Sequence, residues 1–182
     1  MKLFGLAGWS GSGKTTLMVR LIPELTGRGY GVSTLKHAHH DFDVDQPGKD
    51  SHRHRTAGAT EVLVASSRRW ALMHELRGAA EPTLADLVAK LSPVDLVLVE
   101  GFKHDPIPKL EIWRAENGKA PLFPGDPSVV ALAADDPLPV EVPAGLRRFP
   151  LDAVADIATF ILAHVGLSHV GLSHDGLPPR AD

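Results

Sequence analysis

The apolar segment Lys2-Leu3-Phe4-Gly5-Leu6-Ala7 runs straight into Gly8-Trp9-Ser10-Gly11-Ser12-Gly13-Lys14-Thr15-Thr16. Gly8, Gly13, Lys14 and Thr15 fit the spacing G-x-x-x-x-G-K-S/T of a phosphate-cradling loop. That pattern requires a strand before it and a helix after it. The apolar segment supplies the strand, and Leu17-Met18-Val19-Arg20-Leu21-Ile22 supplies the helix. Each residue type has a task. Gly8, Gly11 and Gly13 let the backbone curl around an anion. Backbone N–H groups of Gly11, Ser12, Gly13, Lys14 and Thr15 point inward at phosphate, the helix adds the positive end of its dipole, and Ser10 and Thr16 complete the expected nucleotide-binding set. Lys14 bridges terminal phosphate oxygens as a point charge. The Thr15 hydroxyl is a hard oxygen ligand suited to Mg2+.

The rest of the chain extends this unit into an α/β fold of P-loop NTPase type. The expectation is a mostly parallel, twisted sheet flanked by helices, with an added antiparallel β segment. Residues 15–28 read as the first helix, which Pro23 should kink or shorten. Residues 31–36 give the second strand, completing a βαβ unit. Glu61–Ser66 and Arg69–His74 read as two strands facing each other. Residues 82–91 read as a helix capped by Thr83, with Leu84, Leu87, Val88 and Leu91 inward. Val94–Gly101 is almost continuously apolar, as a central parallel strand is. Lys109–Arg114 and Val129–Ala134 add two strands, and residues 152–164 a last helix.

Two stretches lack apolar periodicity. Residues 37–58 are dense in His and Asp and leave a strand at the sheet's carboxyl edge, where ligands bind in open α/β sheets. This is expected to be a mobile active-site loop. At the other end, His164-Val165-Gly166-Leu167-Ser168 recurs as His169-Val170-Gly171-Leu172-Ser173 and then as His174-Asp175-Gly176-Leu177-Pro178. A five-residue repeat is too short to build a core. The domain is therefore expected over residues 1–163, with a low-complexity, disordered tail over 164–182.

Net charge is -3, so no global charge favours nucleic acid, and the chain has no cysteine. Disulfides and thiolate metal sites are excluded. The leading strand does not resemble a signal peptide, and no apolar run approaches 18 residues, so the expectation is a cytoplasmic protein without a membrane span.

A phosphate loop needs a magnesium partner, ordinarily a carboxylate ending a neighbouring buried strand. Glu100 is that residue here, while Asp95 lies at the strand's far end. Asp41, Asp43 and Asp45 alternate on one side of an extended segment. One of them, with Asp41 the choice, orients an attacking water or holds Mg2+ through water. Zinc at His37, His39 and His40 is disfavoured, because adjacent His39 and His40 rarely reach one ion. Lys36, Lys49, Arg53 and Arg55 are candidate phosphate contacts.

The run Leu35-Lys36-His37-Ala38-His39-His40-Asp41-Phe42-Asp43-Val44-Asp45-Gln46-Pro47-Gly48-Lys49-Asp50-Ser51 resembles the family of molybdopterin-guanine dinucleotide biosynthesis adapter proteins, MobB. So do the phosphate loop and Leu98-Val99-Glu100-Gly101-Phe102-Lys103. The likeness covers residues 1 to about 163, and the tail departs from it. It implies a GTP-binding protein that assists guanylylation of the molybdenum cofactor. It further implies a homodimer working with the nucleotidyltransferase that makes the dinucleotide, with at most slow, Mg2+-dependent GTP hydrolysis. Guanine then needs a reader, and Asp135, directly after strand Val129–Ala134, is the candidate. Its carboxylate accepts from N1–H and the 2-amino group, donors that adenine lacks. Two other readings stand beside this one. One is a small-molecule kinase using ATP under an Arg53–Arg55 lid. The other is a scaffold whose loop binds the phosphate of molybdopterin itself.

Overall fold

The computed structural model describes residues 1–38, 42–135 and 137–167. The elements are β1 (Lys2–Ala7), α1 (Lys14–Gly27), β2 (Val32–Lys36), α2 (Asp50–Thr56), β3 (Glu61–Ala65), β4 (Trp70–His74), α3 (Leu84–Val88), β5 (Leu96–Glu100), β6 (Lys109–Ile112), β7 (Val129–Ala133), β8 (Arg147–Phe149) and α4 (Val154–His164). They fall into two compact units. One comprises Met1–His37 and the chain from Lys90 onward; the other is Ala38–Ala89. No helix among the described residues is long and apolar enough to cross a membrane.

The larger unit is a six-stranded sheet in the order β2-β5-β1-β6-β7-β8, with every pair parallel. Alternation decides its faces. Phe4 and Leu6, Leu96 and Leu98, Leu110 and Ile112, and Ala131 and Ala133 point to one side, onto Leu17, Leu21 and Leu25 of α1 and Ile157 and Ile161 of α4. Each fully buried Leu or Ile there contributes roughly 1.5–3 kcal/mol. On the other side Trp113, Leu132 and Ala134 pack under Phe123, Leu138, Val142 and Leu146.

The exception to an apolar interior is β6, whose residues Lys109 and Glu111 are both buried. Lys109 Nζ donates to the carbonyls of Lys103 (3.0 Å) and Asp105 (2.7 Å), and contacts Asp126 Oδ2 (3.2 Å) and Ser128 Oγ (2.6 Å). Its stem crosses β1 where there is no side chain: a Cβ at Gly5 would lie 2.8 Å from Lys109 Cγ. Residue 5 is therefore glycine because of a close approach, not a turn.

The smaller unit contains the antiparallel pair β3–β4, in register from Glu61 opposite His74 to Ala65 opposite Trp70. Helix α2 packs against β3. Leu63, Val64, Trp70 and Leu72 are exposed on this hairpin.

Two expectations about elements need correction, and one strand is unexpected. Pro23 does not shorten α1, which continues past it to Gly27. The proline is exposed, while Leu17, Leu21 and Leu25 bury one helical face on both sides of it. Helix α3 is shorter than residues 82–91. Thr83 does cap it, in a reciprocal box with Asp86, but it stops at Val88. The sixth strand of the sheet, β8, has no counterpart in the sequence reading. It is three residues long, two of them arginine, and only Phe149 is buried.

The expected boundary at 163/164 falls inside the last turn of α4. Gly166, at φ +72°, donates to Ala163 O, and Leu167 N–H donates to Leu162 O at 2.8 Å. This pair of bonds around a left-handed glycine is a Schellman helix end. Val165 and Leu167 pack on the core. The first copy of the repeat thus closes α4; the later copies lie outside the described residues.

Candidate functional site

The sheet order places β1 between β5 and β6, so consecutive crossovers diverge around it. That makes the carboxyl end of β1 the switch point, where α/β sheets open a crevice. The phosphate loop leaves β1 at this point. Gly8, Gly11 and Gly13 all have φ in the left-handed range, at +140°, +80° and +99°. At Gly8 a side chain is doubly barred, since a Cβ would meet Ile112 O at 2.4 Å and Ser12 Oγ at 2.6 Å. Gly13 is the N-cap of α1 and supplies no side-chain cap. Nothing on the cap residue therefore satisfies the first-turn N–H groups, which suits an anion.

Lys14 Nζ donates to Gly8 O and Trp9 O, both at 2.8 Å. Burial pushes its ammonium below the ordinary lysine range. Glu100 pulls it back up, and Lys103 and Lys36 push it down again. Glu100 ends β5, paired in register with Leu6 of β1 and Lys36 of β2. Its side chain is 12% exposed, with Lys36 Nζ at 3.9 Å. Thr15 and Thr16 are exposed in the first turn of α1, and Ser10 is exposed on the loop. Ser12 is buried, and its Oγ has no hydrogen-bond partner among the described residues.

Asp135 follows β7 after one intervening residue, Ala134, and accepts from Leu151 N–H at 2.8 Å through Oδ1. A cleft of about 210 Å3 joins it to the loop; Gly13, Thr16, Leu17, Arg114, Asp135 and Leu151 are among its walls. Of the residues chosen from sequence, Gly8, Ser10, Gly11, Ser12, Gly13, Lys14, Thr15, Thr16, Glu100 and Asp135 therefore lie along one carboxyl edge. Asp41, His39 and His40 lie outside the described residues.

The residues present fit a nucleoside triphosphate with Mg2+. A glycine nest, an uncapped helix start and an orphaned buried hydroxyl meet an anion's needs. The Thr15 hydroxyl and the Glu100 carboxylate are hard oxygens of the kind Mg2+ takes alongside water and phosphate. No group of three or more His, Cys, Asp or Glu placed to hold a metal occurs among the described residues.

In the smaller unit, Arg55 does not act as an available phosphate contact. Its guanidinium binds Asp43 (2.6 Å), Asp45 (2.9 Å) and Glu75 (3.3 Å). The alternation of Asp43 and Asp45 does put both on one side, as their spacing suggested, but that side faces an internal cation.

Sequence reasoning missed three residues at the site. Trp9 Nε1–H donates to Ala120 O at 2.8 Å, with Lys103 Nζ 5.4 Å from its ring centroid. Glu111 holds the same segment, accepting from Leu122 and Phe123. Arg114 Nε–H donates to Ser12 O at 3.2 Å. The available signal was position: Arg114 follows a strand next to β1, so it emerges at the ligand edge.

A parallel sheet with a glycine nest at its switch point defines a P-loop α/β protein. The model of the family MobB, described as molybdopterin guanine dinucleotide synthesis protein B, matches residues 3–135, and the chain belongs to that family. It is 48% identical over 163 residues to the molybdopterin-guanine dinucleotide biosynthesis adapter protein of Escherichia coli (strain K12), covering 88% of this chain and 91% of that one. The Haemophilus influenzae protein of the same description is 46% identical, over 87% and 86%. A crystal structure of a MobB homolog from Bacillus stearothermophilus superposes with a TM-score of 0.67 at 25% identity, covering 92% of this chain and all of that one.

Proposed function

We propose that this protein is an adapter in molybdopterin guanine dinucleotide biosynthesis that binds GTP with Mg2+ at the loop of residues 8–16. Membership of the family supports the adapter role. The observation that carries the nucleotide reading is the Lys14 ammonium bonded to the carbonyls of Gly8 and Trp9 across a left-handed glycine nest, with Glu100 ending the strand paired to β1.

In this reading the chain's own groups divide the work. Backbone N–H groups of residues 10–16 and the Lys14 ammonium hold terminal phosphate oxygens. Thr15 and Glu100 hold the cation, which when bound neutralises charge on the phosphates. Asp135 reads guanine, and Asp41, outside the described residues, orients water for slow hydrolysis. Two copies of the chain pair through the exposed apolar hairpin β3–β4, and the cytoplasmic nucleotidyltransferase of the pathway is the working partner. Two open strands carrying Leu63, Trp70 and Leu72 support the pairing, because such edges favour further strands or burial.

The deciding experiment titrates fluorescent GTP and ATP against the purified protein, with and without Mg2+. GTP should bind more tightly than ATP, more so with Mg2+, and Lys14→Met should weaken both. ATP preference would favour a kinase instead. Lys14→Met binding with wild-type affinity would remove the loop from the nucleotide site.

A further inference from the structure

Resting on the assignment of the loop to nucleotide, we propose that Arg114 is a second cationic nucleotide contact, holding the phosphate nearest the nucleoside. Lys14 and Arg114 grip opposite ends of one loop. Lys14 bonds the carbonyls of Gly8 and Trp9, where the loop begins. Arg114 bonds the carbonyl of Ser12, just before α1 begins. A Cβ built at Gly13 would lie 3.5 Å from Arg114 Nε and 3.7 Å from Nη2, so the guanidinium lies directly against the helix start.

The root of Arg114 is rigid on both sides. Before it, Trp113 N–H extends the ladder to Ala133 O at 3.0 Å, and the buried indole bonds Lys119 O at 2.8 Å. After it, the 3-10 turn Ala115–Asn117 closes back through Asn117 N–H to Arg114 O. A side chain rooted this way needs little ordering to meet a ligand.

Arg114 also forms a wall of the cleft that leads from Gly13 and Thr16 to Asp135. A nucleotide with its terminal phosphates near Lys14 and its base near Asp135 must pass the guanidinium between them. Arg20 borders the same cleft, but its Nη2 is bonded to Asp152 O at 3.3 Å, farther along α1. The planar fork of an arginine suits two phosphate oxygens, or one phosphate and the Ser12 carbonyl together.

The test compares GMP, GDP and GTP as competitors of fluorescent GDP on wild type, Arg114→Met, Arg114→Lys and Lys14→Met. Arg114→Met should weaken all three nucleotides by the same factor, roughly 10-fold or more for a charged hydrogen bond. Lys14→Met should weaken GDP and GTP and spare GMP. Arg114→Lys keeps the charge but not the fork, so it should lose less, again equally across the series. If Arg114→Met leaves GMP affinity unchanged, or loses only the di- and triphosphate, Arg114 acts through loop shape alone and the proposal falls. If wild type binds none of the three, or Lys14→Met changes nothing, the loop assignment itself falls. Should Arg114→Met fail to give a cooperative melt by circular dichroism, Arg114→Lys decides by the same equal-factor criterion.

Discussion

Glu111 Oε1 accepts the backbone N–H of Leu122 at 2.7 Å, and Oε2 takes Phe123 N–H at 2.9 Å. A carboxylate with no exposed surface thus closes the segment that also bonds the Trp9 indole.

That arrangement predicts an unusual pH dependence. Burial raises the Glu111 pKa above its ordinary 4.5; the two N–H donors oppose the rise, and Asp126 adds to it. Between the ordinary value and the raised one, the native state holds a proton that the unfolded chain has released. Stability contributed by this group is complete below the ordinary value and is lost as pH rises through the raised one. Urea midpoints of wild type should carry this falling component above pH 4.5, and those of Glu111→Gln should lack it. At low pH the variant should be less stable by about 1–3 kcal/mol, since its amide faces N–H donors. Parallel pH curves for the two proteins would show that Glu111 does not titrate in the folded state.

Glu100→Gln should weaken nucleotide binding in Mg2+ several-fold more than in EDTA. The change removes a hard anionic oxygen while keeping its shape. It also leaves Lys36 without its carboxylate partner at 3.9 Å, a small effect because Lys36 is exposed. Isothermal titration in both buffers reads the difference. An unchanged ratio would place the cation ligand elsewhere.

Asp135→Asn should lower GTP affinity roughly 10-fold or more and improve binding of xanthosine triphosphate, whose 2-oxo group opposes a carboxylate. An asparagine oxygen can still accept Leu151 N–H, so the fold should melt normally. Competition among GTP, ATP and the xanthine nucleotide checks it. Retained GTP preference over both would mean another group reads the base.

A chain ending at Ala163 should melt lower than one ending at Leu167, by roughly 2–8 degrees for about one to two lost kcal/mol, each worth about 2–4 degrees. The shorter chain loses the His164 ring, 6.1 Å from Phe4 and 5.5 Å from Phe160, and both Schellman bonds. Equal melting temperatures by calorimetry would show that the helix end adds nothing.

The sheet was legible where the chain repeats a pattern. Leu96–Val99 announces a central strand by unbroken apolarity, and the glycine–lysine spacing announces the switch point. What escaped depends on partners distant in sequence. Arg114 reads as the polar end of a strand until Ser12, 102 residues earlier, is brought to it. Glu111 reads as an alternating surface acid within Lys-Leu-Glu-Ile, yet the loop at 122–123 covers it. Arg55 looks like a basic helix face and becomes the hub of three carboxylates only once Glu75 folds back. The repeat at 164 failed differently. Its composition pointed to a tail, whereas one glycine at φ +72° made its first copy a helix stop.

Trp9 gives the molecule its own optical probe. Of the three tryptophans, Trp113 is enclosed in the core and Trp70 lies open on the hairpin. Only Trp9 is part of the loop, under Lys103 and bonded to Ala120. An indole so placed has its emission tuned by a nearby ammonium and by one hydrogen bond. Any ligand that reorders residues 8–16 changes that emission without a label, and a chain lacking Trp70 would make the signal cleaner still.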